Sequence, residues 1–233
     1  MKEQSHCCPW SHLRFCFCFT FSHHQIATAR HACLREKRMQ CYEETMSIPL
    51  VINYPSELFH GGDANNSESS TRIISNLVSS IDILPTIADL AGVDCSQYHY
   101  RGTSLVPLLR NESTTCQNEE EILFTFDEPL APSGIPGYIR CIRSDDIKYS
   151  VYFTSDGKRT EYEMYSLRED PHEMHNLCGP NIVPDERWYS WHNRLTQLMK
   201  RKGAVPRDFH WNSMSKPRKW THFVDLSQSN LIK

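Results

Sequence analysis

Apolar residues recur at helical spacing from Ile83 to Ala91, where Ile83, Leu84, Ile87, Leu90 and Ala91 share one face. Asp82 stands where a helix N-cap belongs. Pro85 falls in the first turn, where a missing N–H costs little, and Gly92 follows as a left-handed terminator. The pattern predicts a helix over 82–92 whose apolar face lies on a sheet or a core. A second stripe, Trp188, Trp191, Leu195 and Leu198, predicts a helix over 185–202. It ends in Lys-Arg-Lys-Gly, with basic residues at the negative end of the helix dipole.

Between and around these helices the pattern is that of strands. Ser47 to Tyr54 is a short apolar run that reads as a buried strand of a mostly parallel sheet. Gly61 to Ser70 is a polar loop, and Ile73 to Ser80 is a second strand candidate leading into the Asp82 helix. That alternation of strand and helix fits an α/β architecture. After Asn111 the character changes. Ile122–Phe126, Tyr138–Arg143, Lys148–Phe153 and Tyr162–Leu167 are β-prone runs, with Ser155-Asp-Gly157 as a hairpin turn, and they predict a small antiparallel sheet.

Composition narrows the class. Hydrophobic residues make up 39% of 233 residues, enough for a packed core, and a net charge of −3 gives no electrostatic case for a nucleic-acid partner. No apolar run reaches the roughly 18 residues that a membrane span needs. Six of the ten cysteines fall in the first 41 residues, while Cys95, Cys116, Cys141 and Cys178 are scattered beyond. Leu13 to Phe21 has the length of a signal-peptide core, but Arg14 adjoins the run and His23-His24 follows it. Asn65-Asn-Ser67 and Asn111-Glu-Ser113 are glycan acceptor sequons if the protein is secreted, and the compartment stays open.

Four segments occur in a telling order: Tyr42-Glu-Glu-Thr-Met-Ser-Ile-Pro-Leu-Val-Ile52, the helix from Asp82 to Gly92, Gly102-Thr-Ser-Leu-Val-Pro-Leu-Leu109, and Met164-Tyr-Ser-Leu-Arg-Glu-Asp-Pro-His-Glu-Met-His-Asn-Leu177. Their order resembles the sulfatases of the alkaline phosphatase superfamily, of the arylsulfatase and choline-sulfatase type, over roughly residues 31 to 200. The resemblance implies an alkaline phosphatase-like α/β fold: an incomplete, mostly parallel sheet with flanking helices, plus a small C-terminal antiparallel sheet with a packed helix. It divides the chain into an atypical Cys/His/Phe-rich segment with little order (1–30), the distal part of the catalytic domain (31–115), a sheet-plus-helix subdomain (116–206) and a basic tail (207–233).

By resemblance, the chemistry is sulfate-ester hydrolysis on a small molecule or carbohydrate. It uses a formylglycine made from the cysteine of Cys-x-Pro-Ser-Arg, a calcium ion, and Lys and His side chains on the sulfate. No Cys-x-Pro-Ser-Arg occurs in this sequence. In Cys7-Cys-Pro-Trp-Ser11, Trp10 replaces the serine and Ser11 the arginine. The family's paired amino-terminal Asp ligands are absent too. Alignment without gaps to the family's pattern ahead of its Tyr-Glu-Glu places His31 and Lys37 on the sulfate-side positions. The same alignment puts His23 at a metal-ligand position and Gln25 at a glycine. A neutral imidazole is a poor ligand for hard calcium, so no metal ligand is retained and this chain is expected to bind none. Ser47 stands where relatives often carry Arg.

Glu43 and Glu44 read as structural, holding the turn before the Ser47 strand. Asp170, Pro171 and Glu173 read as a turn in the small sheet, with His172 and His175 uninvolved in metal binding. Three function classes follow: a sulfuric ester hydrolase whose chain here is truncated and catalytically incomplete, a non-catalytic sulfatase-like binding protein, and a Cys/His zinc-binding arm built on Cys7, Cys8, Cys16, Cys18, His23 and His24. Relatives that cleave phosphonates or phosphodiesters share the Tyr-Glu-Glu and Asp-Pro signatures and are an alternative to the first. The substrate and oligomeric state are not legible.

Overall fold

The computed structural model describes residues 16–18, 40–53, 72–94, 97–111, 120–129, 131, 135–179 and 181–206. These fall into two compact units. Apart from residues 16–18, the segment before Gln40 lies outside the described residues, as do the 61–70 loop and the tail from 207.

The first unit contains strand β1 (Cys16–Cys18), strand β2 (Val51–Asn53), helix α2 (Ile83–Leu90) and the single-turn helix α3 (Val106–Leu109). Helix α2 follows a 3-10 turn, Ser80–Asp82, and ends in a Schellman closure: Gly92 N–H donates to Asp89 O and Val93 N–H to Ala88 O, with Gly92 at φ 66°. The start of the helix differs from expectation. Asp82 makes no side-chain capping bond; its Oδ1 accepts the Thr103 N–H at 2.9 Å.

Asp82, Thr86 and Asp89 lie one turn apart along α2, and together they hold the segment 103–105. Leu105 N–H donates to Thr86 Oγ1 at 2.9 Å, and Ser104 Oγ donates to Asp89 Oδ2 at 2.5 Å. Gly102 completes the fit, because a Cβ there would overlap the Ile81 carbonyl. The carbonyls of Leu108 and Leu109, at the end of α3, accept from Arg72 Nη2 at 2.6 and 2.8 Å, and Leu108 O also accepts the Asn111 N–H at 3.3 Å. Asn111, the sequon residue, sits exposed just beyond at φ 59°.

The face of α2 expected to be covered is half-open. Leu84 is 58% exposed and Ile87 38%, while Pro85 and Thr86 are buried. Among the described residues this helix is held by hydrogen bonds from its polar stripe, with its apolar stripe only partly covered. Among the described residues of the run 47–54, strand forms at Val51–Asn53, antiparallel to Cys16–Cys18, with Val51 59% exposed. No parallel pairing occurs among the described residues. Residues 73–79 are not a strand, since Ser75-Asn76 and Ser79-Ser80 interrupt the apolar run and Ile73 is 92% exposed.

The second unit is built on a four-stranded antiparallel meander, in order β3 (Glu121–Asp127), β4 (Tyr138–Ser144), β5 (Ile147–Phe153) and β6 (Thr160–Ser166). The β5–β6 hairpin turns at Ser155-Asp-Gly157, where Gly157 has φ 66°. Helix α4 (Glu186–Arg201) covers one face. Asp185 caps it by accepting the Trp188 N–H at 2.8 Å, and Gly203 closes it at φ 60°. Trp188, Leu195, Leu198 and Met199 meet Ile142, Tyr149, Val151, Phe153 and Tyr162 there, almost wholly shielded from water. Burial of each such side chain stabilises by about 1.5–3 kcal/mol. The predicted stripe is thus confirmed, with His192 added to it: its Nδ1 shares a 3.0 Å hydrogen bond with the Tyr149 hydroxyl, which also accepts the Trp188 indole N–H at 3.1 Å.

The other face of the sheet carries Phe124, Phe126, Ile139, Cys141, Arg143, Lys148, Ser150, Tyr152, Glu163 and Tyr165, by the alternation of the strands. It is covered by residues 40–46, including the one-turn helix α1 (Glu43–Met46). No helix among the described residues is long and apolar enough to cross a membrane.

Candidate functional site

The second face of the sheet buries charge. Lys148 is the second residue of β5, with its side chain 1% exposed, and it forms ion pairs with Glu173, whose side chain is fully buried, and with Glu43 Oε1 at 3.5 Å. Glu43 also meets Arg143, with Nη2 at 3.2 Å from Oε2. The Glu43 backbone N–H donates to Glu173 Oε2 at 2.6 Å. One ammonium therefore joins the Tyr42-Glu43-Glu44 turn to the Asp170-Pro-His-Glu173 turn, the first and last of the four sequence signatures.

Each signature residue has a local task. In the first turn, Thr45 N–H and Met46 N–H both donate to Tyr42 O, closing α1, and this presents the Glu43 side chain to the sheet. In the second, Asp170 Oδ2 accepts the His175 N–H at 2.7 Å and Glu173 N–H donates to Asp170 O, with Glu173 held at φ 54°. Left-handed backbone is uncommon for a residue with a Cβ. Asn176 binds this turn to β6: its Oδ1 accepts from Met164 N–H and Cys178 N–H, and its Nδ2 donates to Tyr162 O. The reading of Asp170 and Glu173 as a turn is sound, and Glu173 is also an ionic partner.

Beside this pair lies a second polar group. Tyr152 donates its hydroxyl to Glu163 Oε2 at 2.7 Å and accepts the Cys41 N–H at 3.2 Å. The rings of Tyr42 and Tyr165 are 6.1 Å apart. Burial raises the Glu173 and Glu163 carboxyls above the ordinary range, with Lys148 opposing the shift at both and the Tyr152 hydroxyl also opposing it at Glu163. Burial and the Glu163 charge push the Tyr42 phenol up to about 12.

This arrangement positions a segment and leaves no open cleft for chemistry at Lys148, which is closed over. The residues expected on the sulfate side, His31 and Lys37, and the doubtful metal position His23 lie outside the described residues. Among the described residues no three His, Cys, Asp or Glu side chains converge to hold a metal ion. The calcium implied by the resemblance has no ligand set among those residues. Of the sequence-predicted residues, Glu43 lies at the centre of the site. Lys148 and Glu163 escaped sequence reasoning, because a charged residue alternating with apolar ones in a strand reads as solvent-facing.

Comparison with known proteins gives the same direction. The family described as "N-sulphoglucosamine sulphohydrolase, C-terminal" matches residues 31–201. The chain is 32% identical over 139 residues to N-acetylglucosamine-6-O-sulfatase of Bacteroides thetaiotaomicron, covering 59% of this chain and 22% of that one. It is 28% identical over 200 residues to arylsulfatase K of Homo sapiens, covering 84% of this chain and 33% of that one. A solved structure described as a complex with its substrate D-glucosamine-2-N,6-O-disulfate is similar with a TM-score of 0.50 and 26% identity, over 72% of this chain and 31% of the other. The chain thus spans between 22% and 33% of the length of these curated relatives. On the match across 31–201, the chain belongs to the sulfatase family, in the group that carries the N-sulphoglucosamine sulphohydrolase C-terminal module.

Proposed function

We propose that this chain serves as the C-terminal portion of a sulfuric ester hydrolase, in which the small sheet anchors the segment that brings Lys37 and His31 to the substrate's sulfate. The observation that carries this reading is the Lys148 bridge between Glu43 and Glu173. It fixes the turn that begins at Tyr42, five residues after Lys37 in sequence. In this role the Lys37 ammonium neutralises sulfate charge and His31 supplies a proton to the leaving oxygen. Residues 31–115 are taken as the distal part of a mostly parallel sheet with flanking helices, and 116–206 as the anchoring subdomain.

The substrate class we assign is a sulfated amino sugar. It rests on relatives named for N-acetylglucosamine-6-sulfate chemistry and on a similar structure described with a disulfated glucosamine. Those names favour sulfate esters over phosphonates or phosphodiesters. The 233 residues contain no Cys-x-Pro-Ser-Arg nucleophile, and on this reading they bind the sulfated sugar through Lys37 and His31 without turning it over.

The test is ligand-observed NMR with 6-O-sulfated N-acetylglucosamine and its unsulfated form, alongside a sulfate-release assay. Binding of the sulfated sugar alone, weakened by Lys37→Ala and without sulfate release, is the expected result. Equal binding of both sugars, no effect of Lys37→Ala, or sulfate release by the purified chain would overturn it.

A further inference from the structure

Cys41 and Cys141 are about 100 residues apart in sequence, yet they share one small buried cluster with Ile139 and Tyr152 on the sheet face opposite α4. Their exposures are 1% and 0%. The Cys41 N–H is held by the Tyr152 hydroxyl at 3.2 Å. Cys141 pairs across β4 and β5 with Ser150, two residues along β5 from Tyr152 and on the same face. Both are free thiols in the structure, packed in the same cluster. Cys178 is in the core beneath α4, on the opposite face.

We propose that Cys41 and Cys141 form a disulfide bond that staples the Tyr42-Glu43-Glu44 turn to the sheet. The two thiols give up two electrons and two protons, and a disulfide-class oxidant, R–S–S–R, is reduced to two R–SH. Burial sets the order of events. Before the turn docks, Cys41 is accessible and its thiolate attacks the oxidant, giving Cys41–S–S–R and one R–S⁻. Docking then brings this mixed disulfide onto Cys141, whose thiolate attacks the Cys41 sulfur, forms the new S–S bond and expels the second R–S⁻.

Cys141 is suited to the attacking role. Burial by itself raises its thiol, but the Cys41 thiol and the Lys148 ammonium beside it outweigh that and hold it below the usual thiol range. Cys41 in the docked state is pushed up by burial, with Cys141 adding to the shift. The finished bond lies out of reach of reductants in the folded chain. It closes a loop of about 100 residues, and cross-linking a loop of that length restricts the unfolded chain strongly.

The test is peptide mapping of the full 233-residue chain made in an oxidising compartment, with free thiols alkylated in denaturant and no reductant added. The expected result is one linked pair of peptides containing Cys41 and Cys141, with Cys178 alkylated. Reductant then lowers the unfolding midpoint on the order of 10 °C, and does not do so in the double variant C41A/C141A. Alkylation of both Cys41 and Cys141, or linkage of either to another cysteine, overturns the proposal. The mapping uses the unmutated chain, so poor folding of the variant leaves it decisive.

Discussion

Lys148 and Glu43 are 105 positions apart in sequence, and the Lys148 Nζ lies 3.5 Å from Glu43 Oε1. With Glu173 on its other side, Lys148 is an ionic rivet between two turns, which the Glu43 N–H to Glu173 Oε2 bond also joins. Taking one member out of a buried ionic group leaves the others uncompensated, which costs far more than the group contributes as a whole. Lys148→Met is therefore expected to destabilise the chain by about 3–5 kcal/mol in denaturant unfolding. Adding Glu173→Gln should recover part of that loss. Additive losses in the double variant would show that the two residues act independently.

Acid stabilises this face. Burial raises the Glu163 and Glu173 carboxyls, so the folded chain binds protons that the unfolded chain has released. Lys148 and Glu43 face Glu173, while Tyr152, Lys148, Glu173 and Glu161 act on Glu163. The contribution is present at the low end of the carboxylate range and is lost as pH rises through the raised values. The thermal midpoint of Glu163→Gln should depend less on pH than that of the unmutated chain between about pH 5 and pH 7, the range just above ordinary carboxylate values. A steeper dependence in the variant would reverse this sign.

In the first unit, Thr86 is fully buried and its hydroxyl does two things: it donates to Asp82 O at 2.5 Å and accepts the Leu105 N–H at 2.9 Å. Thr86→Val keeps the shape and removes both bonds, leaving a buried amide unsatisfied at a cost of about 1–3 kcal/mol. Proteolysis should then cut within 102–111 faster than in the unmutated chain. Unchanged cleavage there would mean that the Asp82 and Ser104 contacts hold the segment alone.

Much of the second unit was legible. The four β-prone runs, the Asp-Gly turn and the Trp188 to Leu198 stripe each carry a local period, and all appear where the pattern puts them. Asp170 and Glu173 were readable as a turn for the same reason. Lys148 was not, because its burial depends on residues 40–46 arriving from across the sequence, and no local period encodes that. The pairing of Cys41 with Cys141 was hidden likewise. In the first unit, the apolar stripe of α2 suggested a packed face, whereas among the described residues the contacts run through its polar stripe of Asp82, Thr86 and Asp89. A hydrophobic period shows which face is able to be covered; it does not supply the cover.

The claim that Lys148 holds the Tyr42-Glu43-Glu44 turn on the sheet is tested most directly by amide hydrogen exchange in Lys148→Met. The Cys41 and Glu43 amides, which donate to Tyr152 and Glu173, should lose more protection than the β4, β5 and β6 amides, which lose only what the global destabilisation takes from them. Unchanged protection at Cys41 and Glu43, or equal loss throughout the sheet, would contradict it.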